Sequence, residues 1–249
     1  MEVGSVDAHF SDEFQVLKQA GHACHVFSVE HWEDGLLKIK PAIPVGQKVL
    51  YRGWMMKLPE YAQLQAKLAE RDAQLLISTE QYKSAHYLSS WYPHCQQNTP
   101  ETVFLHDEDL VETINRLNWS AYFVKDQVKS LTTTRGSKAK TAAEIREILS
   151  ELLTYRGEWE GGICIRRWED LIVESEERFF IWKGRAYCKD GNVPPWLGEM
   201  IPAIGSPFFS MDIAFNRQGK PRIVEIGDGQ VSSIKNWPLD AFVHIFAGE

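Results

Sequence analysis

Phe208-Phe209-Ser210-Met211-Asp212-Ile213-Ala214-Phe215 and, after Asn216 to Lys220, Arg222-Ile223-Val224-Glu225-Ile226-Gly227-Asp228 decide how this chain is read. Two apolar runs joined by a short polar, glycine-containing segment predict an antiparallel hairpin. Strand residues alternate faces, so Asp212 between Met211 and Ile213 points away from the local core. The same holds for Glu225 between Val224 and Ile226, which makes the two carboxylates neighbours on paired strands. Like charges there are destabilising unless neutralised, and a hard cation such as Mg²⁺ shared with substrate phosphates is a common solution. The bland alternative is a pair of solvent-facing carboxylates with Asp228 as a turn aspartate.

Working outward, the sequence from Gly162 is mostly β, with strands expected over Ile163–Trp168, Arg178–Trp182 and Arg185–Lys189, and a closing helix over Pro238–Phe246. Arg178 opens its strand and suits a carboxylate or phosphate fork. Upstream, Thr141 and Glu144 form a capping box before Ile145, Ile148, Leu149 and Leu152, with Gly157 as the stop. Asp107 is the expected cap of a helix carrying Leu110, Ile114 and Leu117. A strand over Ala121–Lys129 carries Lys125 and Lys129, and 131–140, basic and hydroxyl-rich with Gly136, Lys138 and Lys140, reads as a mobile loop. The lysines suit a phosphate clamp; the alternative is ordinary surface lysines at strand ends.

The first 95 residues predict a small α/β layer, with a helix from Ser11, one from near Pro59, and strands over Cys24–Val29, Lys48–Tyr51 and Gln74–Ser78. Arg52 ends the second of these before Gly53 and suits either a ligand carboxylate or a structural ion pair. His22, Cys24 and His25 fall on different faces of a strand and make a poor metal set.

Composition narrows the classes. A net charge of −7 over 249 residues argues against binding nucleic acid through a bulk positive field. No apolar run approaches a membrane span, the start of the chain has no signal-peptide pattern, and the four cysteines stand singly, so a soluble cytoplasmic chain is expected. There is no Walker-A sequence, no G-x-G-x-x-G and no Lys-x-Asp-Gly, which disfavours P-loop, Rossmann and lysyl-nucleotide chemistry.

The order Phe123-Val124-Lys125, glycine-containing loop to Lys140, strand from Gly162, Glu177-Arg178-Phe179-Phe180, Asp212 and Val224-Glu225-Ile226-Gly227-Asp228 resembles the ATP-grasp superfamily. Tyr51-Arg52-Gly53-Trp54 with Lys125 and Lys129 resembles its clade named for one arginine and two lysines. The resemblance implies an α+β fold: a pre-ATP-grasp α/β domain over 1–95, then an ATP-grasp domain over 96–249 built of two α+β subdomains, about 96–161 and 162–249. It implies that Lys125 and Lys129 bind ATP phosphates under the 131–140 loop with its Lys138. Ile165 to Glu169, with Arg166, Arg167 and Trp168, would contact adenine, and Glu169 or Asp170 would lie near the ribose. Arg178 would face the transferred phosphoryl group, Asp212, Glu225 and Asp228 would hold Mg²⁺, and Arg52 would hold an acceptor carboxylate. Many members carry Asn two residues after the metal glutamate; here Gly227 stands there and Asp228 follows. The implied reaction joins a carboxylate to an amine through an acyl phosphate, with peptide or protein modification suggested by the clade. The rivals are a phosphotransferase and a nucleotide-binding module without turnover.

Overall fold

The computed structural model describes residues 5–105, 110–128, 130 and 135–247; Lys129, Asp107 and 131–134 lie outside them. In the amino-terminal region the apolar runs are too closely punctuated for long strands. Helix α1 (Ser11–Gln19) has Phe10, not Ser11, at its N-cap position. The strand expected over Cys24–Val29 contracts to β1 (Val26–Phe27), because Ser28 accepts a hydrogen bond from His31 N and starts α2 (Val29–Glu33). β1 pairs with β2 (Ile39–Lys40), and β3 (Lys48–Val49) runs parallel to β4 (Gln74–Leu75). Between the latter two lies α3 (Leu58–Ala69), burying Tyr61, Leu64 and Leu68 as their spacing predicts. Ser78, expected to end a strand, instead forms a capping box with Gln81 and opens α4 (Thr79–His86), followed by α5 (Leu88–Trp91).

The first large sheet contains β5 (Thr102–Leu105), β6 (Tyr122–Asp126), β7 (Lys138–Ala139) and β8 (Ile163–Arg167) in the antiparallel order β5-β8-β6-β7. The second half of the expected loop is therefore partly strand, since Lys138 and Ala139 pair with Phe123 and Tyr122. Helices α6 (Leu110–Leu117) and α7 (Ala142–Arg156) cover one face, where Leu110, Ile145, Ile148, Leu149 and Leu152 meet Tyr122, Val124, Ile163 and Ile165. Thr141 caps α7 by accepting from Glu144 N, but Glu144 returns its bond to Lys140 N rather than completing a strict capping box. Gly157 ends the helix with a left-handed backbone, φ 78°, a conformation that suits a residue without Cβ. Because side chains alternate, Phe123 and Lys125 point away from these helices.

The second large sheet holds β9 (Glu177–Trp182), β10 (Arg185–Tyr187), β11 (Phe208–Phe215) and β12 (Pro221–Asp228) in the order β10-β9-β11-β12, all antiparallel. One face packs Phe179, Ile181, Met211, Ile213 and Ile226 against Trp91 and Leu197. On the other, Phe180, Trp182 and Phe208 join Tyr51, Tyr61 and Leu64 from the amino-terminal region and Phe242 of α8 (Leu239–Val243). Full burial of a side chain such as Phe180 or Phe208 is worth roughly 1.5–3 kcal/mol, so this shared core fixes the first 82 residues against the carboxylate-bearing sheet. Among the described residues no helix is long and apolar enough to cross a membrane, and all four cysteines are free thiols.

Candidate active site

Strand register builds the central feature. Arg178 of β9 lies opposite Asp212 of β11, and Asp212 lies opposite Glu225 of β12, so the three side chains form one line across the sheet. Arg178 grips Asp212 at both oxygens, Nε to Oδ1 and Nη2 to Oδ2, each at 2.7 Å. Such a planar fork is stronger and more directional than a single bond. Lys125, only 3% exposed, crosses from the first sheet and donates to Glu225 Oε1 at 2.9 Å. The two sheets thus contribute opposite charges to one row. Lys235 extends it at the other end, donating to Asp212 Oδ2 at 3.0 Å and Glu176 Oε1 at 2.7 Å. Burial works against the ammonium of Lys235, but Glu176 and Asp212 outweigh it and hold its pKa above the ordinary lysine value.

Asp212 and Glu225 fit a hard divalent cation: they offer only oxygens, sit on adjacent strands, and leave the Glu225 side chain 38% exposed, so that water or phosphate can complete the shell. Asp228 does not join them. Three residues beyond Glu225 on the same strand, it falls on the opposite face, and among the described residues no group of three acidic, histidine or cysteine side chains is poised to hold a metal. Asp228 is fully buried; Oδ1 accepts from Gln230 N and Nε2, while Oδ2 has no partner. Burial pushes its carboxyl up to about 7, against smaller opposing effects of Gln230 and Arg52. Gly227, at the position where many ATP-grasp chains carry asparagine, is required by packing: a Cβ there would approach Ser232 Oγ to 3.0 Å.

Arg52 is also remote from the row. Its Nε and Nη2 fork onto Glu13, the latter at 2.9 Å, and Nη1 donates to the carbonyls of Gln230 and Ser232 at 2.9 and 2.7 Å. With Phe242 5.0 Å from its guanidinium, Arg52 is a clamp between α1 and the segment after β12. The structural ion pair, rather than the carboxylate-holding role, is what the geometry supplies.

At the β6–β8 end, Lys138 Nζ lies 4.0 Å from the Trp168 ring centroid, and the Trp168 and Phe123 rings stack at 6.3 Å. These groups form an aromatic and cationic platform suited to a purine. The other residues expected around the nucleotide are engaged elsewhere. Arg166 is buried without a carboxylate and joins the two sheets through Val224 O at 2.7 Å and Thr99 Oγ1 at 2.6 Å; burial lowers its pKa. Glu169 is forked by Arg222 at 2.7 Å, Arg167 meets Glu101 at 3.7 Å on the surface, and Asp170 meets Arg217 at 3.3 Å. Lys129 lies outside the described residues. Sequence reasoning missed Lys235, Glu176, Glu13 and Arg222. Lys235 carries no motif or periodicity; only the turn of the chain after β12 brings it to Asp212.

Two antiparallel sheets with cations on one and a carboxylate row on the other define an ATP-grasp arrangement, and sequence comparison agrees. The model of an ATP-grasp domain, family 3 of the clade named for one arginine and two lysines, matches residues 112–245, and the chain belongs to that family. No curated protein matches in sequence. Among solved structures, the chain resembles the RimK domain protein ATP-grasp from Sphaerobacter thermophilus with a TM-score of 0.62 at 13% identity, over 97% of this chain and 93% of that one. It also resembles the macrocyclase MdnC bound with precursor peptide MdnA from Microcystis aeruginosa, with a TM-score of 0.59 at 11% identity, over 98% and 96%. The ATP-grasp ligase PsnB, in a complex with a precursor variant, Mg and ADP, gives 0.57 at 11%, over 94% and 89%.

Proposed function

We propose that this chain is an ATP- and Mg²⁺-dependent ligase that activates a substrate carboxylate as an acyl phosphate and joins it to an amine. The observation that carries this reading is the row in which Lys125 of one sheet meets the Arg178–Asp212–Glu225 line of the other. Phosphoryl transfer needs positioning and charge neutralisation more than a protein nucleophile, and these groups suffice for both.

In this reading Lys125 exchanges Glu225 for a phosphate oxygen, and Arg178, fixed by Asp212, faces the transferred phosphoryl group. Phe123, Trp168 and Lys138 receive the base. Asp212 and Glu225 hold Mg²⁺, which when bound neutralises phosphate charge. Asp228 is left out of the metal set and Arg52 out of substrate binding, since both are committed to internal contacts. The carboxylate oxygen attacks the γ-phosphorus, ADP leaves, and the amine then displaces phosphate from the acyl carbon. Similarity to MdnC and PsnB, whose structures contain precursor peptides, supports a peptide as the carboxylate donor.

The test is trapping. With ATP, Mg²⁺ and a panel of acidic peptides, hydroxylamine should intercept the acyl phosphate as a hydroxamate while ADP accumulates. A stable phosphorylated product insensitive to hydroxylamine would favour a phosphotransferase, and nucleotide bound without turnover would favour a binding module.

A further inference from the structure

The chain leaves β12 and bends back over the row, held by two arginines. Arg52 Nη1 donates to Gln230 O and Ser232 O, Arg178 Nη1 donates to Ser233 O at 2.7 Å, and Ser232 Oγ lies 2.7 Å from Ser210 Oγ. At the end of this strap Lys235 adopts a left-handed backbone, φ 50°, a region that non-glycine residues enter rarely. That conformation delivers Nζ between Asp212 and Glu176.

We propose that Lys235 is a resident cation of the site: it supplies to Asp212 the charge that a second divalent ion would otherwise supply, so the chain takes a single divalent ion with its nucleotide. The inference rests on the nucleotide reading above and adds a metal count to it. Two observations carry it. Asp212 is 3% exposed and already accepts three hydrogen bonds, two from Arg178 and one from Lys235, of the roughly four a carboxylate can take. A second ion on Asp212 must therefore displace Lys235 or Arg178. Charge points the same way. Arg178, Lys235 and Lys125 balance Glu176, Asp212 and Glu225 in number, so this described row is neutral without metal. Glu225, the more exposed carboxylate, remains the point where a nucleotide-borne cation can enter. A lysine ammonium, a compact charge with three donors, serves the fixed position without being lost on dilution.

The experiment counts bound Mn²⁺ by electron paramagnetic resonance on the full chain saturated with a non-hydrolysable ATP analogue. The wild-type chain should hold one Mn²⁺, Lys235→Arg one, and Lys235→Met two. Two ions in the wild-type chain overturn the proposal, whether or not the variants fold. One ion in a Lys235→Met protein that melts cooperatively also overturns it, while leaving the nucleotide reading intact. Failure of the wild-type chain to take up either analogue or Mn²⁺ removes the nucleotide reading itself, and the resident-cation proposal with it.

Discussion

Two buried arginine–carboxylate forks hold the same stretch of chain and differ in what surrounds them. Arg52–Glu13 ties α1 to the backbone of Gln230 and Ser232, between the rings of Phe10 and Phe242. Arg178–Asp212 ties β9 to β11 and to Ser233 O, but Lys235, Glu176, Glu225 and Lys125 continue it into a row that opens at Glu225. An isolated fork among aromatic rings has no partner to exchange with and acts as a clamp. A fork embedded in alternating charges can pass contacts to a ligand. The lesson is that an arginine's role follows from the charges next to its partner, not from its own sequence context.

Breaking the clamp should produce the largest effect. Arg52→Ala leaves Glu13 buried and unpaired, which costs roughly 3–5 kcal/mol. At about 2–4 °C per kcal/mol for a chain near this size, melting should fall by roughly 10 °C, with turnover largely preserved below the transition. Lost turnover with unchanged melting would return Arg52 to the substrate site.

Asp228 sharpens the comparison through pH. Its carboxyl is raised from 3.8 to about 7 by burial, so the folded state binds a proton that the unfolded state releases across that window. The contribution is therefore fully present below about pH 4 and is lost as pH rises through 7, a change of roughly 4 kcal/mol. Asp228→Asn should raise the melting temperature at pH 8, change it little at pH 4, and flatten the slope between. Parallel melting-versus-pH curves would contradict the burial argument.

Within the row, Arg178→Lys keeps a charge beside Asp212 but loses the planar fork, and turnover should fall roughly 10²-fold or more, with melting moved less than by Arg52→Ala. The smallest effect belongs to Lys138→Ala, which removes one exposed cation from the Trp168 platform. Affinity for the analogue should weaken only a few-fold, on the order of 0.5–1 kcal/mol, measured by competition with ATP.

Local rules made much of this legible. Alternation around Asp212 and Glu225 gave the hairpin and their cross-strand pairing, and Thr141, the Ile145–Leu152 stripe and Gly157 gave α7. The same alternation, carried three residues further, sends Asp228 to the other face; grouping it with the other two carboxylates followed family order instead of strand geometry. Short segments misled for a physical reason. Ser28 and Ser78 end apolar runs that look like strands, yet their hydroxyls start helices. Lys235 and the Glu13 partner of Arg52 were invisible because their contacts span 23 and 39 residues of chain and depend on tertiary packing alone.

The central claim, that the row receives a nucleotide with its cation, is tested most directly by titration calorimetry of a non-hydrolysable ATP analogue into the wild-type chain and Glu225→Gln, with and without Mg²⁺. Gln keeps the shape and an acceptor for Lys125 while removing the charge. The wild-type chain should bind with a strong Mg²⁺ dependence, and Glu225→Gln should lose that dependence while melting at the same or a higher temperature. No heat from the wild-type chain, or an unchanged Mg²⁺ dependence in Glu225→Gln, would contradict the account.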